Sequence, residues 1–191
     1  YISHTDGNSS FFEKAYQFAK RIALHQKVSL VRYFATPTAK THLDFGAGTG
    51  AFVEAMTQVG FTSLGYEPSA NARANAAQKE IQLLAEYKDL APAQFDIISL
   101  WHVLEHVYNP TETLTDLKKL LKDFGIIVIA VPNFESWDAQ HYQADWAAYD
   151  VPRHLWHFSE KGIRQIAQEV GLEVAAVKPM WMDAFYVALL S

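Results

Sequence analysis

Apolar residues along the chain form two kinds of pattern, short continuous runs and longer stretches with helical spacing. Runs of strand length occur at residues 42–45, 62–66, 95–100 and 126–131, and stretches with helical spacing separate them. Strands that are apolar on both faces are typical of parallel sheets covered by helices on each side. The alternation therefore predicts an α/β fold with a doubly wound, mostly parallel sheet.

Capping residues indicate where the helices begin. Ser10 and Glu13 form a capping box, in which each side chain bonds a backbone N–H at the helix start. The helix that they open is expected to end before Pro37. The other expected helices cover residues 50–59, a stretch that begins at Ser69, a stretch from the Asn109–Pro110 start signal to Gly125, and residues 159–170.

Three weaker assignments complete the order of elements. Residues 81–85 are expected to form a weak strand, and residues 172–177 a strand that extends the sheet. Residues 184–190 fit either a closing strand or the start of a helix cut short. The expected parts of the chain are residues 1–40, 41–131, 132–158 and 159–191.

Residues 132–158 interrupt the alternation of strand and helix. A connection of this length is uncommon in a compact domain unless it has a function or is disordered. It is rich in tryptophan, tyrosine and phenylalanine, which argues against disorder. Because it leaves the carboxyl end of the strand at residues 126–131, it is expected beside the edge of the sheet where such folds bind ligands.

Composition restricts the class of protein. The chain has 191 residues, of which 50% are hydrophobic and 19% charged, as expected for one globular domain. It has no cysteine, which excludes zinc ribbons, thiol catalysis and disulfide scaffolds. The net charge of −5 does not favour a nucleic-acid partner, and no apolar run has the length of a membrane span. Because the chain begins at Tyr1 rather than methionine, we expect that the sequence is a trimmed form. Whether a leader segment was removed stays open. A cytoplasmic location is the default expectation.

Residues 44–50 (DFGAGTG) join the first sheet strand to the helix after it. Glycine is needed where the backbone turns sharply and a ligand approaches it, because a Cβ would clash. The spacing of Gly46, Gly48 and Ala51 also fits the dinucleotide fingerprint, so the glycines alone leave a nicotinamide cofactor open. Glu67, after the second strand, fills the place of an acid that accepts hydrogen bonds from ribose hydroxyls.

Charge separates the candidate ligands. Between residues 41 and 67 the charged residues are Asp44, Glu54 and Glu67, with no lysine or arginine. Such surroundings favour a cationic ligand over a phosphate. S-adenosylmethionine carries a sulfonium and an ammonium group and no phosphate. The lysine of a P-loop is absent, which excludes a nucleotide triphosphate site of that kind.

Residues 42–50 (HLDFGAGTG) resemble motif I of the class I S-adenosylmethionine-dependent methyltransferases. Residues 65–69 (GYEPS) resemble the ribose-binding segment of that family, and residues 95–106 its fourth strand and the helix after it. Residues 131–133 and 150–158 (DVPRHLWHF) resemble the bacterial branch related to ubiquinone-biosynthesis O-methyltransferases. The resemblance implies a Rossmann-like sheet, with an N-terminal cover helix before it.

The same resemblance implies a cofactor site for S-adenosylmethionine. It places Asp44 at the methionine end of the cofactor, Glu67 on the ribose, and Asp89 and Leu90 beside the adenine. The full set of implied cofactor-binding residues is Asp44, Gly46, Ala47, Gly48, Gly50, Glu67, Pro68, Asp89, Leu90, Trp101 and His102.

His102, Glu105 and His106 match the H-x-x-E-H pattern of a class of zinc proteases. That motif lies within a helix, whereas His102 directly follows a buried strand, so a protease site is not expected. Some members of the ubiquinone branch resemble this segment with E-x-x-E-H and use a divalent cation. Here His102 replaces the first acid, and hard cations prefer oxygen ligands, so we expect no metal. The alternative to any function is that these residues are packed and hydrogen-bonded at a helix start.

His154 is the first candidate for a general base, and His106 the second, if the acceptor is a hydroxyl. Trp137, Trp146, Arg153 and Trp156 are expected to line an acceptor pocket. The alternatives are a loop packed by its own rings, with Arg153 and His154 only tying the loop down.

The predicted function is methyl transfer from S-adenosylmethionine to a small molecule, with O-methylation favoured. A nicotinamide-dependent oxidoreductase and a cofactor-binding module without activity are the alternatives. The acceptor, the atom that is methylated and the oligomeric state stay open.

Overall fold

The computed structural model describes residues 6–191, with side chains described from residue 18 onward. Its helices are α1 (Asp6–Phe34), α2 (Ala51–Gln58), α3 (Ala70–Ala77), α4 (Pro110–Leu120), α5 (Trp137–Tyr142), α6 (Glu160–Glu169) and α7 (Trp181–Leu190). Its strands are β1 (Thr41–Phe45), β2 (Thr62–Tyr66), β3 (Phe95–Trp101) and β4 (Leu121–Ala130). Among these helices, none has both the length and the apolar composition needed to cross a membrane.

The four strands form one sheet in the order β2-β1-β3-β4, and every neighbouring pair is parallel. The carboxyl ends of β1 and β3, the two central strands, therefore meet at the same edge of the sheet. This arrangement confirms the predicted α/β fold with a parallel, Rossmann-like sheet.

Each face of the sheet has its own apolar core. On one face, Phe52 and Met56 of α2 and Val31 of α1 pack against Ile97 of β3. On the other face, Leu114 and Leu117 of α4 pack with Leu43 and Ile98, and Ile163 and Ile166 of α6 pack against this cluster. Helices on both faces explain why the sequence of β3 is apolar at nearly every position, as the doubly wound prediction requires.

Several predicted helix starts are confirmed by their caps. The side chains of Ser69, Asn109 and Ser159 accept hydrogen bonds from the N–H groups of the third residue after each of them. Helix α1 ends before Pro37 as predicted, but it begins at Asp6, so Ser10 lies inside the helix and the predicted start at the Ser10–Glu13 capping box is wrong. The side chains of Ser10 and Glu13 lie outside the described residues.

The expected strand at residues 81–85 is wrong. Leu84 forms a single parallel bridge with Tyr66, through hydrogen bonds that join Leu84 to Gly65 and to Glu67. The segment touches the edge of β2 at one residue and then turns away, so β2 remains the edge strand of the described sheet.

Helix α4 ends at Leu120, not at Gly125 as predicted, and β4 begins directly afterwards at Leu121. The pairing of β4 with β3 jumps from Leu121 to Ile126, so the residues between them bulge out of the ladder. In this bulge Lys122 reaches back to Asp96 at 3.1 Å, and Phe124 has a positive φ of 63°. Leu121 continues the apolar spacing of the helix, but it is the first residue of the strand.

The expected strand at residues 172–177 is also wrong. The Nζ atom of Lys118 donates hydrogen bonds to the carbonyl oxygens of Val170 and Gly171, which holds the chain after α6 against α4. The segment therefore does not reach the edge of β4. Of the two possibilities left open for residues 184–190, the structure has the helix, α7.

Candidate active site

The glycine loop lies at the carboxyl end of β1, where Gly46, Gly48 and Gly50 all have positive φ. A Cβ on Gly46 would lie 2.4 Å from a methyl carbon of Val103, so the close approach of residues 46 and 103 requires glycine. Nothing lies within 4 Å of the position that a Cβ on Gly48 would take. The loop backbone at Gly48 is thus open to a ligand.

A cleft of about 240 Å³ adjoins this loop. Asp44 and Trp101 line it from the sheet, Gly46 and Gly48 from the loop, and Lys20 and Lys27 from α1. The cleft therefore combines a carboxylate with two ammonium groups beside an open backbone loop. This set fits the zwitterionic amino-acid end of S-adenosylmethionine, with an acid for its ammonium and cations for its carboxylate.

Asp44 is 3% exposed, and its Oδ1 accepts a hydrogen bond of 2.6 Å from the Ser99 hydroxyl. Burial raises the pKa of Asp44 to about 7, against the opposing effects of the Ser99 hydrogen bond and of Lys27. Within the described side chains, Ser99 is the one hydrogen-bond donor to this carboxylate, which leaves Oδ2 for a ligand.

Glu67 follows β2 and is buried beside the glycine loop. Its Oε2 accepts from the Gly48 N–H at 2.8 Å, and its Oε1 accepts from the Ser69 N–H at 2.8 Å. Each carboxylate oxygen keeps a second lone pair. Glu67 therefore ties the loop to the end of β2 and retains the capacity to accept from a ribose.

The residues expected around the adenine are not brought to this cleft. Asp89 is exposed, and Leu90 packs at the edge of the α4 core. Pro68 is exposed and its carbonyl accepts from Arg73.

Trp101 ends β3 beside the cleft, and His102 follows it. The Lys27 ammonium lies 5.0 Å from the centroid of the Trp101 ring, a cation–π contact. His102 has a positive φ of 57°, and its Nε2 lies 2.8 Å from Asp183 of α7. Burial disfavours its charge, but the carboxylates of Asp183 and Glu105 more than offset this and raise the pKa of His102 to about 9. Asp183 also pairs with Lys27 at 3.5 Å, so His102, α7 and α1 are joined above the cleft.

Glu105, His106 and His154 come together although His154 is far away in sequence. Their potential ligand atoms all lie within 4.8 Å of one another. The two histidine Nδ1 atoms are bonded to the carbonyl oxygens of Arg153 and Ala148, at 2.9 and 2.8 Å. A carbonyl only accepts, so each Nδ1 carries its proton and, in the neutral ring, each Nε2 has a free lone pair.

The carboxylate of Glu105 is 1% exposed, and neither of its oxygens has a hydrogen-bond partner in the described part of the chain. One carboxylate and two imidazoles, each with its second nitrogen held by a carbonyl, are a donor set that divalent transition metals take. The cluster thus has the chemistry either to accept a proton or to hold a cation.

The structure separates the four residues expected in an acceptor pocket. Trp146 is buried against Ala139, Ala148 and Tyr149, so this part of the loop is packed by its own side chains. Trp137 is 70% exposed and stacks on His141. The Trp156 indole N–H donates to the carbonyl of Val107, and Arg153 pairs with Asp150 at the surface.

Residues 132–158 are nevertheless held beside the active-site edge. The backbone N–H groups of Leu155 and Trp156 donate to the carbonyl of Glu105, and Phe134 donates to Phe158 at the ends of the segment. This closed loop carries His154 to the end of β3.

Sequence reasoning missed Lys20, Lys27 and Asp183 because they come from α1 and α7, far from the glycine loop in sequence. It also missed His42 and Ser99, which contact the site from inside the sheet. One signal was available for His42: it lies two positions before Asp44 in a strand, so both side chains share a face.

Comparison with known proteins agrees with this geometry. A family model for a methyltransferase domain matches residues 17–177. The ubiquinone biosynthesis O-methyltransferase of Bartonella tribocorum is 26% identical over 176 residues, which cover 77% of this chain and 71% of that protein. The enzyme of the same name from Caulobacter vibrioides is 31% identical over 133 residues, 59% of this chain and 51% of that protein. The chain thus spans about half the length of several of the curated relatives that it matches.

Solved structures share the fold. A S-adenosylmethionine-dependent methyltransferase of Thermotoga maritima, described as a possible histamine N-methyltransferase, superposes with a TM-score of 0.66 at 20% identity, covering 86% of this chain and 78% of that one. Magnesium protoporphyrin IX methyltransferase of Synechocystis with bound S-adenosylhomocysteine gives 0.63 at 15% identity, covering 93% and 83%. With a family match across most of its length, the chain belongs to the methyltransferase domain family, and its cleft has the charged groups that suit S-adenosylmethionine.

Proposed function

We propose that the chain methylates a hydroxyl group of a small molecule, with His154 as the general base. The observation that carries this proposal is the position of His154, which residues 132–158 bring to the end of β3 with its Nε2 lone pair free. The relatives named as O-methyltransferases support oxygen as the acceptor atom. The nicotinamide alternative is not favoured, because both the family and the structural neighbours are methyltransferases.

The cofactor supplies an electrophilic methyl group on its sulfonium. Asp44 would bind the ammonium of the methionine end, Lys20 or Lys27 its carboxylate, and Glu67 the ribose. The remaining task of the protein is to align the acceptor oxygen and keep water away from it.

His154 suits the removal of a proton from a hydroxyl. Burial lowers the pKa of His154, against a smaller opposing effect of its bond to the Ala148 carbonyl, so the ring is neutral at neutral pH. Asp150 lies 3.8 Å from Nε2, and Glu105 belongs to the same cluster. These carboxylates would stabilise the imidazolium that forms when the proton is taken up.

A metal-assisted form of the same reaction is the second candidate. It is favoured by the Glu105 carboxylate, which is buried without a hydrogen bond in the described part of the chain and has the His102 ring 3.6 Å away. Glu105, His106 and His154 would then hold a divalent cation, and the cation would lower the pKa of the acceptor hydroxyl. His106 would be a metal ligand in the metal-assisted form, whereas in the metal-free form it would be the second candidate for the general base.

Calorimetry with S-adenosylhomocysteine tests the cofactor site. The wild-type chain should bind it at micromolar strength and give no heat with NAD or NADP. Glu67→Ala should weaken binding by about 1.5–3 kcal/mol, the range for hydrogen bonds to a charged group. Glu54→Ala, which removes an exposed acid of α2, is the matched control and should leave affinity unchanged. Equal affinities for wild type and Glu67→Ala would show that Glu67 does not bind the ribose.

A methylation screen against a panel of phenols, alcohols and amines tests the acceptor class. Methylation of hydroxyl compounds is expected. Cofactor binding with no turnover across the panel would instead favour the cofactor-binding module without activity.

A further inference from the structure

A line of four polar side chains crosses the interior of the sheet. His42 of β1 is 0% exposed, and its Nδ1 lies 2.7 Å from the Ser63 hydroxyl of β2. Its Nε2 lies 2.9 Å from the Ser99 hydroxyl of β3, which is also 0% exposed. Ser99 in turn donates to Asp44 at 2.6 Å. The line therefore ends on the acid of the cofactor cleft.

Strand register brings these residues together. His42 lies directly opposite Ser63, and Asp44 directly opposite Ser99, in the two parallel ladders. His42 and Asp44 are two positions apart in β1, so their side chains share one face. A shift of one residue in either ladder would break the line.

When Asp44 is ionised, the direction of every hydrogen bond in the line is fixed by chemistry. The Ser99 hydroxyl has one proton, which goes to the ionised Asp44, so Ser99 accepts from the Nε2–H of His42. The Nδ1 of His42 then has a lone pair and accepts from the Ser63 hydroxyl. Burial lowers the pKa of His42 to about 3, which keeps the ring in the neutral form that this arrangement needs.

All donors in the line point toward Asp44, so each bond polarises the next and strengthens the last one. Other charged groups also act on this carboxylate: Lys27 from α1 favours its ionised form, and Glu67 after β2 opposes it. Lys20 lines the same cleft. Among these groups, only Ser99 holds an oxygen of Asp44 by a hydrogen bond, which fixes the orientation of the carboxylate.

We propose that Ser63, His42 and Ser99 form a buried relay that orients the Asp44 carboxylate for the ammonium group of the cofactor. Ser99 and His42 are positioning residues for cofactor binding, and the proposal rests on the role of Asp44 given above. Stability alone does not explain these polar residues, because apolar side chains at the same buried positions would fill the core without polar groups that must be hydrogen-bonded.

Two ligands separate positioning from general damage to the site. S-adenosylhomocysteine carries the amino-acid end that Asp44 would bind, whereas 5′-methylthioadenosine keeps the adenosine and lacks that end. Ser99→Ala should weaken S-adenosylhomocysteine about tenfold and 5′-methylthioadenosine less than twofold, measured by calorimetry at pH 8. The Asp44 carboxylate loses its hydrogen-bond donor in Ser99→Ala, which should raise its pKa. The loss of S-adenosylhomocysteine affinity on acidification should therefore begin at a higher pH than in the wild type.

Two further comparisons test the order of the residues in the line and their dependence on Asp44. Ser63→Ala makes the same deletion at the far end and should have a smaller effect than Ser99→Ala. In an Asp44→Asn background, Ser99→Ala should add less than a twofold change, because the two residues act as one unit.

A second variant tests whether the loss of affinity comes from damage to the fold. His42→Leu replaces the ring with an apolar side chain and should keep the melting temperature at or above that of the wild type, while S-adenosylhomocysteine affinity still falls several-fold. Equal losses for both ligands, or unchanged affinity in Ser99→Ala and His42→Leu, would overturn the relay. Failure of the wild-type chain to bind S-adenosylhomocysteine would instead contradict the cofactor site itself.

Discussion

The carboxylates at the two ends of the sheet differ in how many hydrogen bonds the protein gives them. At the amino ends of the strands, Asp96 accepts hydrogen bonds from the N–H groups of Lys40 and Thr41 and from the Lys122 ammonium, at 2.8–3.1 Å. Although partial burial opposes the charge, these donors hold the pKa of Asp96 well below its usual range. At the carboxyl ends, Asp44 has a single donor and Glu105 has none in the described part of the chain.

This difference separates stability from function. A carboxylate that accepts hydrogen bonds from several protein donors stabilises the fold and has little remaining capacity to bind a ligand. A buried carboxylate with free lone pairs costs folding free energy, which is tolerated where a ligand or a proton completes the arrangement. Asp44, with one donor, and Glu105, with none in the described part of the chain, both lie at the edge where parallel sheets bind ligands.

The largest expected effect is at the carboxyl end. His154→Ala should lower turnover about 10²-fold or more, because a general base is worth 10²–10⁴-fold, while S-adenosylhomocysteine affinity stays near wild type. His157→Ala is the matched control and should retain turnover; His157 is an exposed neighbouring histidine whose Nε2 bonds the Tyr149 carbonyl and which is not part of the Glu105 cluster. A fall of several degrees in melting temperature with little change in turnover would show that His154 only anchors the loop.

Chelation distinguishes the two forms of the reaction. The base mechanism predicts that turnover survives dialysis against a chelator. If turnover is lost and then restored by magnesium, manganese or zinc, Glu105, His106 and His154 are metal ligands and the metal-free mechanism is wrong.

The next effect is at the amino end. Asp96→Ala should lower the free energy of unfolding by about 2 kcal/mol at pH 7, the scale of hydrogen bonds to a charged group, and leave S-adenosylhomocysteine affinity unchanged. Asp123→Ala, an exposed acid in the same bulge, should have little effect on stability. Because the pKa of Asp96 is lower in the folded chain, its contribution is present above its unfolded pKa, about 3.9, and is lost as pH falls through the folded value. Urea titrations at pH 7 and pH 3 should therefore show a smaller difference between wild type and Asp96→Ala at the lower pH.

The smallest effect concerns the pH dependence of cofactor binding. With a pKa of about 7, the free Asp44 carboxyl is mostly ionised at pH 8 and mostly protonated at pH 6. Only the ionised form attracts an ammonium, so S-adenosylhomocysteine affinity should fall about tenfold from pH 8 to pH 6. Asp44→Asn should bind more weakly and show a flatter profile. An equal fall in the affinity for 5′-methylthioadenosine would assign the pH dependence to another group.

Local signals predicted the parts of the molecule that depend on neighbours in sequence. Ser69, Asn109 and Ser159 cap helices because a cap involves residues three positions apart. The glycine loop could be located because positive φ is a local requirement. Predictions were wrong where the outcome depended on a distant partner: Lys118 holds residues 170–171 away from the sheet edge, and Lys122 in the bulge after α4 contacts Asp96.

The sequence by itself determined the four strands of the parallel sheet and the main helices between them, the glycine loop with its acids, and the class of cofactor. These follow from periodicity, backbone sterics and the sign of nearby charges. Only the tertiary structure decided that His154 meets Glu105 and His106, that α1 brings Lys20 and Lys27 to the cleft, and that Ser63, His42 and Ser99 line up behind Asp44. Contacts of this kind depend on strand register and on how a long loop closes, and both are set by packing across the whole domain rather than by neighbouring residues.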